Sequence, residues 1–213
     1  MKLDDLLPYL LDEVPGAPFS IAKRALLQSC TEFCLMTHAW DQVQDPILLQ
    51  DNVNQYDVDI PPGGRVASVR SVWMADRTLT PKTMEEVSLL IPNWQAAQSS
   101  HPAFYNANTD FAVITVFPIP IGVVDQTITI RASFAPTLTA TSLPDAVINR
   151  YIEPILSGAK FRLMTAPGKA WSNPALAGMH KSMFDSGVNL ARTDALMDRS
   201  EGSMRVRPVR FGF

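Results

Sequence analysis

The sequence predicts an α+β protein. A helical bundle forms from the N- and C-terminal segments, an antiparallel β-domain (sandwich or barrel) is inserted between them, and an extended C-terminal arm follows. Three observations predict this. Apolar residues recur at helical spacing before residue 45 and again after residue 141. Between those stretches the period shortens to two and turn residues punctuate the chain. After about residue 196 no periodicity remains. The corresponding parts are 1–45 with 141–196 for the bundle, 46–140 for the insert and 197–213 for the arm. The two helical stretches lie far apart in sequence, yet each has an apolar stripe to bury, so they must meet in space.

The elements follow in order. Residues 1–13 read as a short acidic helix stopped by Pro15–Gly16. Ser20 is placed to cap a second helix running to about Trp40, with Ala22, Leu26, Phe33 and Trp40 on its buried stripe beside Ala25, Cys30 and Thr37. Pro61, Pro62, Gly63 and Gly64 make a turn, and Val66, Ala67, Val69, Val72 and Trp73 belong to a strand after it. Thr83 caps a short helix near 83–90 that Pro92 stops. "PAFYNANTDFAVITVFP" reads as a hairpin turning near Asn106–Asp110. "QTITIRASF" alternates cleanly, with Thr127, Thr129 and Arg131 on one face and Ile128, Ile130 and Ala132 on the other. Ser142 and Pro144 start a long helix with Asp145 in its first turn, where negative charge is favourable. Pro154 should kink it, because proline lacks the amide donor and clashes with the carbonyl of Arg150. Pro167–Gly168 stops that helix and Asn173–Pro174 opens another. Leu176, His180, Met183, Phe184, Gly187 and Ala191 share one of its faces.

Composition narrows the function classes. Charged residues make up 18% of the 213, against about 25% in a typical soluble domain. A shortage of surface charge suggests that other subunits cover much of the surface. The net charge of −3 leaves no chain-wide basic field for gripping DNA. Charge is uneven, however. Asp41, Asp45, Asp51, Asp57 and Asp59 occur with no Lys or Arg between them, whereas Arg205, Arg207 and Arg210 stand unopposed near the end. No signal peptide is visible, and the longest apolar run, 111–124, is too short for a bilayer and holds two prolines. The protein reads as soluble and cytoplasmic at synthesis.

Residues with chemistry are few and scattered. Cys30, Cys34 and His38 lie on one helix, but the third sits two turns from the first, too far to close one zinc shell. Buried thiols are the better reading, and no metal or cofactor is expected. Ser20–Lys23 and Ser157–Lys160 have the SxxK spacing of a serine nucleophile with a lysine base, without the companion motifs of that enzyme class. Asp57 and Asp59 share a strand face, which reads first as solvated surface. Trp40, Trp73, Trp94 and Trp171 each lie in an apolar context that favours packing over base or sugar stacking. "FPIPIG" at 117–122 is either a recognition loop or a stiff turn packed on the helices.

The tail is the most distinctive stretch. Residues 203–213, "SMRVRPVRFGF", carry three arginines, a proline, two aromatic residues and no acid. Alternating Arg and Val ending in Phe211 and Phe213 suits an arm that docks by strand addition or side-chain insertion. Arginine fits partner carboxylates and the aromatic rings supply buried anchors.

Across nearly its full length the chain resembles the head-to-tail adaptors of tailed bacteriophages, including the tail tubular protein A family of short-tailed phages. The likeness runs through 5–40, with its "EFC…T…W", and 56–83. It continues through 92–120, with a Trp, a Pro-x-x-Tyr and a closing Pro-x-Pro, and 143–191, with a Pro–Gly and a Trp-x-Asn-Pro. The resemblance implies a structural protein of the virion's head–tail junction with no reaction. It implies a ring, twelve-fold in most such adaptors, that joins the portal protein above to a tail nozzle or neck protein below, with DNA passing through. It also implies portal docking by the C-terminal arm, here Arg205, Val206, Arg207, Pro208, Val209, Arg210, Phe211 and Phe213. A stopper or terminator of the neck and a serine hydrolase are the alternatives.

Overall fold

Residues 1–74, 77–110 and 112–197 are described by the structure, a computed structural model. A 3-10 turn, Leu3–Leu6, leads into α1 (Leu7–Glu13), and Leu3, Leu6, Leu7, Leu10 and Val14 are all buried. Gly16, at φ 85°, then reverses the chain in the left-handed region that glycine enters without strain. The next helix, α2 (Phe19–Thr37), is capped by Pro18, whose backbone is extended, and Ser20 lies exposed inside its first turn. The expected Ser20 cap is therefore replaced by a residue whose ring already fixes φ. The helix also stops earlier than expected. Thr37 donates its hydroxyl to the Phe33 carbonyl (2.7 Å), and His38 adopts a left-handed conformation that turns the chain out of the helix. Trp40 thus opens a strand, β1 (Trp40–Val43), and is buried against Phe134 with ring centroids 6.0 Å apart.

Between the helices lie β2 (Ile47–Leu48), β3 (Gln55–Asp57), β4 (Gly64–Met74), β5 (Arg77–Thr78) and β6 (Thr80–Pro81). After α3 (Met84–Leu90) come β7 (Gln98–Ser99), β8 (Phe104–Asn108), β9 (Val113–Phe117), β10 (Ile119–Pro120) and β11 (Thr127–Pro136). The main sheet has the order β1-β11-β4-β5, with β2 also on β11, and its pairs are antiparallel. A smaller sheet has the order β3-β9-β8-β6, and β10 pairs with β7. Strand β11 is central because its alternation gives it one fully buried face: Ile128, Ile130, Ala132 and Phe134 are inaccessible to water. Its register against β4 shifts twice, between Arg131 and Ala132 and between Ser133 and Phe134. Each shift leaves an extra residue on β4, which bends the strand and raises its twist. The sheet curls into a half-barrel rather than a flat layer of a sandwich. The expected Thr83 cap on α3 forms, and Glu86 completes it as a capping box. Thr83 Oγ1 accepts from the Glu86 amide (3.2 Å), and Glu86 Oε2 accepts from the Thr83 amide (2.9 Å).

The chain then returns to the helices as α4 (Asp145–Met164) and α5 (Pro174–Leu196). Pro144, with no side-chain cap, precedes the first; Ser142 lies outside it. The kink expected from Pro154 appears at Tyr151, whose φ of −127° and ψ of 26° interrupt the helix. Asn173 caps α5 by accepting from the Leu176 amide (3.2 Å), with Pro174 in the first turn. The rings of Phe33, Tyr151 and Phe184 join α2, α4 and α5, with centroids 5.2 Å and 6.2 Å from Phe33. Two glycines allow this approach. A side chain at Gly158 would collide with Ser29 Oγ and the Phe184 ring, and one at Gly187 would collide with Pro154. One hydrophobic core runs through the N-terminal helices, the sheet and the C-terminal helices.

Candidate functional site

The two serine–lysine pairs do not converge on chemistry. Ser157 is buried within α4, and Lys160 is held by Glu13 of α1 at 2.6 Å. Ser20 is exposed, but Lys23 faces Asp4 at 2.6 Å. Each lysine ammonium therefore points at a carboxylate rather than at its serine. Cys30 and Cys34 are buried; burial pushes both thiols up, that of Cys34 to about 12. His38 pairs instead with Ser133 Oγ at 2.9 Å, and burial together with Arg70 holds its imidazole below the usual range. Among the described residues no three His, Cys, Asp or Glu side chains gather as metal ligands.

The acidic stretch divides. Asp41 is taken up by Arg131 of β11 (2.6 Å), and Asp51 accepts from the Val123 amide (3.1 Å). Asp45, Asp57 and Asp59 remain exposed. The tryptophans are packed or partly packed: Trp40 lies in the core, and Trp94 meets Phe117 edge-on at 5.5 Å. The "FPIPIG" segment runs from the end of β9 through β10. Phe117 and Pro120 are buried, and β10 pairs with β7, which lies between the two helical stretches. Ile121 is exposed within it and Val124 just beyond it.

The sequence reading missed the surfaces that stand out. On α5, His180, Phe184 and Ala191 are buried as expected, but Leu176 (41% exposed), Met179 (50%), Met183 (45%) and Leu190 (63%) face outward. Thirteen positions of α5 are exposed, and Arg192 alone among them is charged. On α2, Leu27, Gln28, Thr31, Leu35 and Met36, with Lys23, Arg24 and Glu32 among them, form one wall of a groove whose other wall is residues 138–141. Leu138, 84% exposed, divides it into cavities of about 510 and 370 Å³. Assigning Met183 and Phe184 to one face was the error. Adjacent helical residues are about 100° apart, so one of the two had to turn away from the core.

These surfaces belong to a chain that matches a known family. Residues 1–209 match the SU10 adaptor protein family. The chain belongs to that family. It is a phage adaptor, a protein that connects parts of a virion, and membership points to a structural role rather than a catalytic one. No curated protein matches the chain. The narrower likeness to tail tubular protein A stays a resemblance. No helix among the adaptor's described residues is long and apolar enough to cross a membrane. The candidate portal-docking residues Arg205, Val206, Arg207, Pro208, Val209, Arg210, Phe211 and Phe213 lie outside the described residues, beyond Met197 at the end of α5.

Proposed function

We propose that this adaptor is one subunit of a ring, dodecameric as in the proteins it resembles, seated beneath the phage portal. The ring joins the portal to a tail nozzle or neck protein, and DNA passes through its centre without sequence-specific binding. In this reading 1–45 and 141–196 form the body of each subunit, 46–140 form an insert, and 197–213 reach across to the portal. Arg205, Arg207 and Arg210 engage portal carboxylates, and Phe211 and Phe213 anchor in apolar pockets. The observation that carries the reading is the family match across 1–209. The outer face of α5, with Arg192 its one exposed charge, and the groove beside α2 support it, since a ring subunit needs two different covered sides.

Electron microscopy of the adaptor mixed with its portal tests this. An added ring at the portal's narrow end is the expected result. A portal left bare, with the protein binding only after another neck protein has been added, would make it a stopper instead. Deleting residues 203–213 should leave a folded protein that no longer attaches, and unchanged attachment would overturn the docking role of the arm.

A further inference from the structure

We infer that the outer face of α5 is the ridge by which one copy of this chain packs on the next, seated in the neighbour's groove between α2 and residues 138–141. The inference rests on the ring reading and assigns the two faces that such a ring would use.

The ridge is defined by charge and spacing. Leu176, Met179, Met183 and Leu190 recur at helical intervals and fall within one narrow arc of α5. An outward helix face in water ordinarily carries charged residues, whereas the centre of a protein interface is depleted of them. The one exposed charge of α5, Arg192, lies outside the ridge, about 160° round the helix from Leu190, and turns its Nε to the Met36 carbonyl of its own chain (2.8 Å). Small residues, Gly178, Ser182 and Ser186, lie beside the ridge and permit close approach of a second surface.

The groove matches it in length and in charge. From Leu176 to Leu190 the ridge is about 21 Å long, and the α2 wall from Ser20 to Met36 is about 24 Å, at the helical rise per residue. The charges in the groove wall and beside the ridge are mostly paired inside the subunit: Lys23 and Glu32, which line the groove, on Asp4 and Arg162, and beside the ridge Lys181 on Asp185 and Arg150 on Asp194. The ridge is thus uncharged, and so is the middle of the groove at Leu27, Gln28 and Thr31, with Arg24 toward one end. A ridge on one face and a groove on another make a heterologous contact, which propagates from copy to copy and, in the ring reading, closes.

The area sets when the contact forms. The exposed parts of the four ridge residues amount to roughly two whole apolar side chains, well short of the ~800 Å² per partner of a stable stand-alone interface. The contact therefore holds in a ring, where every copy buries both faces, and is weak between two free copies.

Cysteine cross-linking of the full-length chain tests the assignment. Met183 lies at the middle of the ridge, and Gln28, exposed and shared by both cavities, lies at the middle of the groove. The native thiols are buried and stay silent. Under mild oxidation at high protein concentration, a chain carrying both Met183→Cys and Gln28→Cys should give a ladder of dimers, trimers and higher species on a non-reducing gel. Neither single variant should do so. Dimers from Met183→Cys alone would show that ridges pack on ridges and would overturn the inference. So would the absence of a ladder from the double variant when the wild type forms rings on portal particles, an outcome that leaves the ring reading intact. A wild type that forms no ring on the portal sinks the ring reading itself. As a second readout, Met183→Asp should keep its melting temperature yet lose about tenfold or more in ring occupancy on portals; full occupancy would also overturn the inference.

Discussion

Helices α4 and α5 are near neighbours in length, 20 and 23 residues, and pack side by side, but they spend their surfaces differently. From Ile155 to Lys160 every residue of α4 is buried. Its exposed positions fall in the first half, where Asp145, Arg150 and Glu153 give water an ordinary charged face. Helix α5 buries one stripe through Ala177, His180, Phe184, Val188 and Ala191 and leaves the opposite side uncharged apart from Arg192. Two helices in one bundle thus follow different rules. The first is finished within the subunit; the second is half finished, and its outer side has the chemistry of a surface awaiting contact.

That contrast is broken most directly in the shared core. Phe184 is 1% exposed, and its ring packs edge-on against Phe33. Phe184→Ala should cost about 4 kcal/mol of unfolding free energy by chemical denaturation, the usual penalty for emptying a buried aromatic site. A loss below about 1 kcal/mol would mean that α5 is not packed as described. Next in size is Gly158→Ala. The added methyl has no room between Ser29 and Phe184, so α2 or α5 must shift at a cost of about 2 kcal/mol. The same exchange at Gly178, on the open side of α5, meets nothing within 4 Å and should stabilise by about 0.5 kcal/mol through helix propensity. Opposite signs for one chemical change would separate the inner from the outer face. At the start of α5, Asn173→Ala removes the cap on the Leu176 amide and should cost about 1 kcal/mol.

How much of this was legible in the sequence depends on the range of the forces involved. The Thr83 cap, the helix start at Asn173–Pro174 and the Pro154 kink were readable because each involves residues within about a turn of one another. Strand β11 was readable because a period of two with one buried face leaves little ambiguity. The end of α2 was not. Apolar residues continue through Ala39 and Trp40, and the residue that breaks the helix is a left-handed His38 rather than a glycine, so nothing local marks the change from helix to strand. The cap at Pro18 was hidden by the better-known capper Ser20 two residues on. The outer face of α5 and the groove beside Leu138 stayed hidden for a different reason. Sequence shows which residues are apolar, but which of two apolar stripes faces the core depends on where α2 and α4 lie. The groove needs a loop some hundred residues distant from its helical wall.

The inner face of α5 also carries a pH signature that the outer face lacks. His180 is buried, and burial, then the Lys160 ammonium beside it, holds its imidazole below the usual range, with Glu13 opposing. The folded protein therefore favours neutral His180 more than the unfolded chain does. Between the folded value and the ordinary value near 6.5 the unfolded state binds more protons, so stability rises with pH there. The contribution is full above about pH 6.5 and is lost as pH falls through the folded value. His38, also lowered, acts in the same direction. Denaturation midpoints measured from pH 7.5 downward should decline as pH drops below about 6.5, and His180→Gln should flatten part of that decline. A decline equally steep in the variant would remove His180 from the account.

The smallest expected effect bears hardest on the comparison. Leu190 is 63% exposed on α5, two residues from buried Val188. Leu190→Ser removes apolar surface that the isolated subunit does not bury, so unfolding free energy should change by no more than about 0.5 kcal/mol. If Leu190→Ser costs as much as a core truncation, the outer face is already covered within the subunit, and α5 is as finished as α4. If stability is unchanged, leucine at 190 contributes nothing to the fold of one copy. A large apolar side chain held in water on a face with so little charge then finds its role in what the subunit packs against, the same pressure that removed charge from its neighbours along the ridge.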